Sequence, residues 1–150
     1  MEPWYVTGLT NGEGTFSVSF NLRQKLKTKI EVRPSFSLSL NQRDLRIIEE
    51  LKNFFGVGFI RYSRFDNCYR YEVRNLTDLL KVVVPHFRNY PLTGSKVKDY
   101  GKFLEIIEMM KRNLHLSADY LPRIIELAYQ MNPSGKRKLS QQALLRHLVR

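Results

Sequence analysis

A single cysteine, Cys68, rules out an intramolecular disulfide and points to a reducing environment. No apolar run is long enough to span a bilayer, so no membrane-crossing helix is expected. The start, Met1-Glu2-Pro3-Trp4, lacks the basic segment followed by an apolar one that marks a secretory signal, so an intracellular location is expected. The three histidines, His86, His115 and His147, lie too far apart for metal-ligand spacing. Phosphate-cradling glycine loops, Ser-His-Asp arrangements and cofactor fingerprints are absent too, which excludes the common nucleotide-dependent and serine-hydrolase classes. Acidic residues are also scarce: 14 Asp and Glu stand against 25 Lys and Arg, for a net charge of +11.

The 150 residues, 43% hydrophobic and 12% aromatic, suit one globular domain with a sizeable core, and no segment repeats. A charge of +11 exceeds what solubility needs and is the footprint of a polyanionic partner.

Pro3, placed for a first helical turn, and the apolar Trp4, Tyr5, Val6 and Leu9 predict a helix over 4–13 that closes at Gly14. Strict alternation follows. Phe16, Val18, Phe20 and Leu22 face one way, and Thr15, Ser17, Ser19, Asn21 and Arg23 the other, which predicts a half-buried strand. After a basic turn, 29–40 alternates again, with Pro34 marking an edge or bulge. Helical spacing over 42–55 ends at Gly56. Residues 59–63 and 68–74 form a second hairpin across 64–67. Helices follow over 76–87, kinked or ended by Pro85, over 95–112, and from Ser117 or Asp119 to about Met131. A basic turn at 133–138 leads to a last short helix. The order predicts an α+β fold: an αββαββα core whose antiparallel, four-stranded, saddle-like sheet carries its helices on one face.

The positive charge concentrates on the strands. Segments 15–40 and 57–74 hold Arg23, Lys25, Lys27, Lys29, Arg33, Arg61, Arg64, Arg70 and Arg74 but only Glu31, Asp66 and Glu72 as acids. Alternation alone gives any sheet a polar outer face, but it does not give that sign bias. Arginine forks and short hydroxyl and amide side chains read base edges, lysines in turns suit phosphates, and a twisted ribbon fits the major groove. Paired exposed aromatics of a single-strand RNA reader are not expected on this face, which favours duplex DNA.

Gly8 and Gly12, four apart on the first helix, each cost about 1 kcal/mol relative to Ala. Close approach by another helix would account for them. The chain offers one such helix, so the natural partner is its copy in a second subunit, across a two-fold axis with Val6, Gly8, Leu9 and Gly12 in the contact. Glu13 stands at the negative end of that helix's dipole among unpaired carbonyls, including that of Gly12. Such oxygens suit Mg²⁺ and metal-assisted phosphodiester hydrolysis, and equally a solvated acid beside a helix end. The residue pattern leaves both open.

The stretch Val6 to Gly14, with Thr15-Phe16, resembles the signature of the LAGLIDADG homing endonucleases. The resemblance continues through 36–45, Phe54-Phe55-Gly56-Val57-Gly58, Tyr90-Pro91-Leu92 with Lys96 and Asp99-Tyr100, His115-Leu116-Ser117 and Met131-Asn132. It implies a homodimer that cleaves double-stranded DNA at a long palindromic or pseudo-palindromic site, with Mg²⁺ as cofactor and Ca²⁺ supporting binding without cleavage. It implies Glu13 and the Gly12 carbonyl as metal ligands. Lys96 would polarise water or stabilise phosphate charge beside the acid. Base reading would fall to Ser17, Ser19, Asn21, Arg23, Arg33, Ser35, Ser37, Arg61, Ser63, Arg70 and Glu72. The expected compartment is an organelle or a prokaryotic cytoplasm. Two positions depart from the pattern: Asn11 replaces an acid that is mainly structural in the family, and Leu40 stands where some members carry a water-ordering Gln, a task for which Asn41 or Gln42 are the substitutes here. An intron RNA maturase and a non-cleaving DNA-binding regulator are the alternative functions on the same fold.

Overall fold

Pro3 occupies the first turn of α1 (Pro3–Glu13), where a missing N–H is harmless, and Val6, Thr7 and Thr10 form the buried face. This computed structural model describes residues 1–132 and 137–148. After α1 come β1 (Gly14–Leu22), β2 (Ile30–Asn41), α2 (Leu45–Phe55), β3 (Phe59–Ser63) and β4 (Cys68–Val73). Short helices α3 (Leu76–Asp78) and α4 (Val84–Asn89), then α5 (Lys96–Lys111), α6 (Leu121–Tyr129) and α7 (Gln141–His147), complete the order. The strands are hydrogen-bonded in the order β1-β2-β4-β3, and β4 pairs antiparallel with both β2 and β3. The predicted α+β class and element order hold.

Two compact units divide the chain: Met1–Phe16 with Ser35–Val97, and Ser17–Pro34 with Lys98–Arg150. The first is built on stacked and edge-on aromatic rings, Phe16 on Phe36, and Phe55 and Phe87 against Phe36. Ile48 and Leu51 of α2 and Tyr71 and Val73 of β4 are fully buried with them. The second unit buries Val18, Ile30, Phe103, Ile106, Leu121, Ile124 and Leu144. There Arg137 donates to the carbonyls of Val18 (2.8 Å) and Ala128 (2.7 Å) and covers the Tyr129 ring. It serves as a clasp, with burial lowering its pKa. The rest of the predicted basic turn, 133–136, lies outside the described residues.

Several local expectations change. Gly14 has extended backbone (φ −77°) and opens β1, so it is not a left-handed helix cap. Its need for glycine is steric: a Cβ would stand 2.5 Å from Thr10 Cγ2 and 2.7 Å from the Thr10 carbonyl oxygen. Leu22, expected inward, is exposed. Pro34 lies in an interior strand, but β4 pairs with β2 only from Phe36 onward, so no β4 partner needs its missing N–H. Pro85 is absorbed by a wide turn over Leu79–Val83, which sets it in the first turn of α4. The helix expected from Ser117 or Asp119 starts at Leu121 because Pro122 takes a first-turn position.

Candidate metal centre and nucleic-acid interface

The outer stripe of α1 runs through Tyr5, Gly8, Leu9 and Gly12, spaced i, i+3, i+4 and i+7. Tyr5 is 48% exposed, and Trp4 beside it 60%. A Cβ built on Gly8 or Gly12 meets nothing within 4 Å, so neither glycine is required by this chain's own packing. Val6, expected in the same contact, is fully buried in the chain's core. One residue is a 100° step on a helix, and that step separates Val6 from the Tyr5 stripe.

The inner face is anchored by a hydrogen-bonded chain. The Thr7 hydroxyl donates to the Tyr90 carbonyl (2.8 Å), so only its lone pairs face His86 Nε2 at 3.1 Å. That assigns the proton to Nε2. His86 is 8% exposed, is packed by the rings of Phe54, Phe55, Phe87 and Tyr90, and has its pKa lowered by burial. Asn11 accepts from the Thr93 N–H (3.0 Å) and donates to the Thr93 hydroxyl (3.2 Å). Its amide thus does a structural task, tying α1 to the turn before α5.

Glu13, the last residue of α1, is exposed, and no basic residue stands in that helix turn. Lys96, first in α5, donates from its ammonium to the carbonyl of Gly14, the residue after Glu13. Partial burial raises the Cys68 thiol pKa, as do Asp66 and, further, Glu13 itself. Cys68 also lines a pocket of about 240 Å³ with Ser39, Arg61, Tyr62, Ser63, Asp66 and Arg70. Of the two amides proposed to replace a water-ordering Gln, Asn41 accepts from the Arg43 N–H (3.1 Å), while Gln42 Oε1 lies 3.2 Å from a Tyr62 hydroxyl whose single proton has a nearer acceptor in Asn67 Oδ1 (2.9 Å).

The residues at the end of α1 fit a hard cation. Glu13 supplies a carboxylate, and the last carbonyls of a helix lack intrahelical partners. Among the described residues no group of three His, Cys, Asp or Glu side chains forms a complete cage. One chain therefore offers a partial oxygen set, the kind Mg²⁺ completes with water and phosphate oxygens.

In the first unit, the outward rows of the sheet follow from its register. Ser39, Arg70 and Arg61 lie side by side, and so do Asn41, Cys68 and Ser63. Arg61 stands directly opposite Arg70, a like-charge pair that the Glu72 carboxylate, 3.4 Å from Arg61 Nε, partly offsets. Arg70 donates to the Ser39 hydroxyl (3.0 Å). The next row, Ser37, Glu72 and Phe59, departs from expectation. Ser35, Ser37 and Glu72 are buried, at 9%, 6% and 4% exposure, so they are poorly placed to touch bases directly. Phe59 is an exposed aromatic on this face, but the Arg74 guanidinium covers its ring at 5.4 Å. Phe65, at the hairpin tip, is 99% exposed. In the second unit, Ser19, Asn21, Arg23 and Arg33 are exposed and Ser17 half-buried, with Glu31 paired to Arg23 and at 3.9 Å to Arg33. Arg74 and Asp66 were counted among the strand charges but not singled out as site residues from the sequence, and the partner of Asn11, Thr93, was not foreseen. Only the i, i+2 spacing of Glu72 and Arg74 could have pointed to the first.

Comparison with known proteins places this geometry. The family model for LAGLIDADG endonuclease matches residues 6–107. The chain is 38% identical over 143 residues to a probable intron-encoded DNA endonuclease 1 of Mycosarcoma maydis, covering 95% of this chain and 51% of the relative. It therefore spans about half that relative's length. Among solved structures, the homing endonuclease I-TnaI superposes with TM-score 0.86 at 33% identity, over 98% of this chain and 95% of that one. I-SmaMI bound to uncleaved DNA target in the presence of calcium ions superposes with TM-score 0.89 at 32% identity, over 99% of this chain and 50% of that one. Among the described residues no helix is long and apolar enough to cross a membrane. The chain belongs to the LAGLIDADG endonuclease family.

Proposed function

We propose that residues 1–150 act as one family unit that pairs with its own copy through α1 and makes a double-strand cut at a long palindromic or pseudo-palindromic DNA site. The observation that carries this is the Lys96 ammonium on the carbonyl of Gly14, the residue after Glu13, at the end of a helix whose outer stripe includes two glycines that meet nothing in this chain. Two-fold pairing along that stripe would bring two Glu13 carboxylates together, each at the negative end of a helix dipole. Without a cation between them that is repulsive.

Mg²⁺ held by Glu13 and the Gly12 carbonyl would supply Lewis-acid polarisation of the phosphate and activation of water. Lys96 has three N–H donors and spends one on Gly14, so two remain to orient water or to hold a phosphate oxygen as charge builds on it. Arg61, Ser63 and Arg70 in one unit, and Ser17, Ser19, Asn21, Arg23 and Arg33 in the other, are the DNA-contacting residues. The chain works where intron-borne genes are expressed, in an organelle or a prokaryotic cytoplasm.

The test is cleavage selection from a randomised palindromic duplex library in Mg²⁺, with Ca²⁺ and Glu13→Gln as controls. Discrete ends that vanish in both controls are expected. Enrichment for binding with no ends would replace cleavage by DNA binding alone, and enrichment of intron RNA over duplex would turn the assignment to a splicing cofactor.

A further inference from the structure

We infer that Glu72 positions two arginines, Arg61 and Arg74, as a preset pair for reading DNA, and that Arg74 is itself a specificity residue. This rests on the DNA-binding reading above. It replaces the expectation that Glu72 contacts a base.

The geometry is a carboxylate with both oxygens committed. Oε2 accepts from the Ser35 hydroxyl (2.6 Å) and Arg74 Nε (3.0 Å); Oε1 accepts from Arg74 Nη2 (3.2 Å) and faces Arg61 Nε at 3.4 Å. Burial by itself raises the Glu72 pKa, but the hydrogen bonds from Arg74 and Ser35 and the charges of Arg74 and Arg61 outweigh it, so the carboxyl titrates below its ordinary range. The acid is thus charged, held and out of reach of DNA. Its partners are not: the side chains of Arg61 and Arg74 are 51% and 40% exposed. Arg61 meets the acid through Nε, and its two Nη groups form the fork that matches guanine O6 and N7. Arg74 is fixed on a second side by the Phe59 ring. The cluster keeps a net positive charge.

A guanidinium ordered in the free protein need not be ordered on binding, so preset forks sharpen discrimination. An acid on a DNA-binding face also opposes phosphates. Removing its charge therefore has two effects of opposite sign: looser forks discriminate less, while non-specific attraction grows. In the other unit Glu31 stands between Arg23 and Arg33 in a similar way, though partly exposed.

The experiment is binding selection from randomised duplex DNA in Ca²⁺ with the full chain, comparing wild type, Glu72→Gln, Arg61→Ala and Arg74→Lys. Glu72→Gln is expected to lose roughly ten-fold discrimination at the base pairs relaxed by Arg61→Ala. Its non-specific affinity should rise, with a salt slope steeper by about one charge. Loss at a base pair that both arginine variants still read would make Glu72 a direct reader and overturn the inference. A uniform loss of affinity with unchanged preferences would overturn it in favour of a structural role. Should Glu72→Gln not fold, Arg74→Lys, a change at an exposed side chain, carries the test: preferences unchanged at every base pair overturn the inference. Wild type enriching no sequence would instead defeat the DNA-binding reading, and this inference with it.

Discussion

Three glycines within seven residues should respond to the same substitution with different signs. A Cβ on Gly8 or Gly12 meets nothing within 4 Å. Gly8 is a helix-interior glycine and Gly12 lies in the last turn, so Gly8→Ala should stabilise the single chain by about 1 kcal/mol, or roughly 2–4 °C in Tm for a domain of this size, and Gly12→Ala by less. In a two-fold contact each substitution adds two methyls to packed surfaces. At about 1–3 kcal/mol per inserted group, dimer affinity should weaken by roughly 30-fold or more. Gly14→Ala acts within one chain: its Cβ would stand 2.7 Å from the Thr10 carbonyl oxygen, a backbone atom that cannot swing aside. That variant should lose about 1–3 kcal/mol of fold stability. Sedimentation equilibrium gives the dissociation constants, and melts by circular dichroism below the dissociation constant give single-chain stability. If Gly8→Ala and Gly12→Ala dimerise as wild type does, or melt lower when dilute, the α1 stripe is not the dimer contact.

Lys96→Met should reduce cleavage at least ten-fold while DNA affinity in Ca²⁺ stays within a few-fold, as single-turnover and binding assays would show; equal losses in both would make Lys96 a phosphate contact only. Acid should destabilise the fold in two stages. His86 and His115 have pKa values lowered by burial, so below their ordinary 6.5 the unfolded chain binds protons that the folded chain refuses, and stability falls as pH drops. The contribution of Glu72 persists to below the ordinary carboxyl value of 4.5 and is lost as pH falls through its lower folded value. Urea unfolding at pH 7.5 and 5.5 should show the first stage, flattened in His86→Gln. Arg137→Met removes two charge-assisted bonds to the Val18 and Ala128 carbonyls and should cost about 2–4 kcal/mol. The salt slope of DNA binding should stay unchanged, since the clasp meets no phosphate; a shallower slope would contradict that.

Much of this protein can be read without coordinates because its signals are local. Alternation of period two set β1 and β2, and helical spacing set α2 and α5. The excess of Arg and Lys over acids marked a polyanion partner. Nine residues from Val6 to Gly14 marked the family. What those signals cannot carry is direction and depth. Val6 and Gly8 are two residues apart, yet one is core and the other open surface, because helix phase is decided by what packs against it. Glu72 alternates onto the outer face as expected, but Ser35, Arg61 and Arg74 close over it. Lys96 lies 82 positions from Gly14 in sequence. Local pattern names the residue types and their faces. Partners distant in sequence, brought together by the buried core, decide which carboxylate stays exposed and which is buried against arginines.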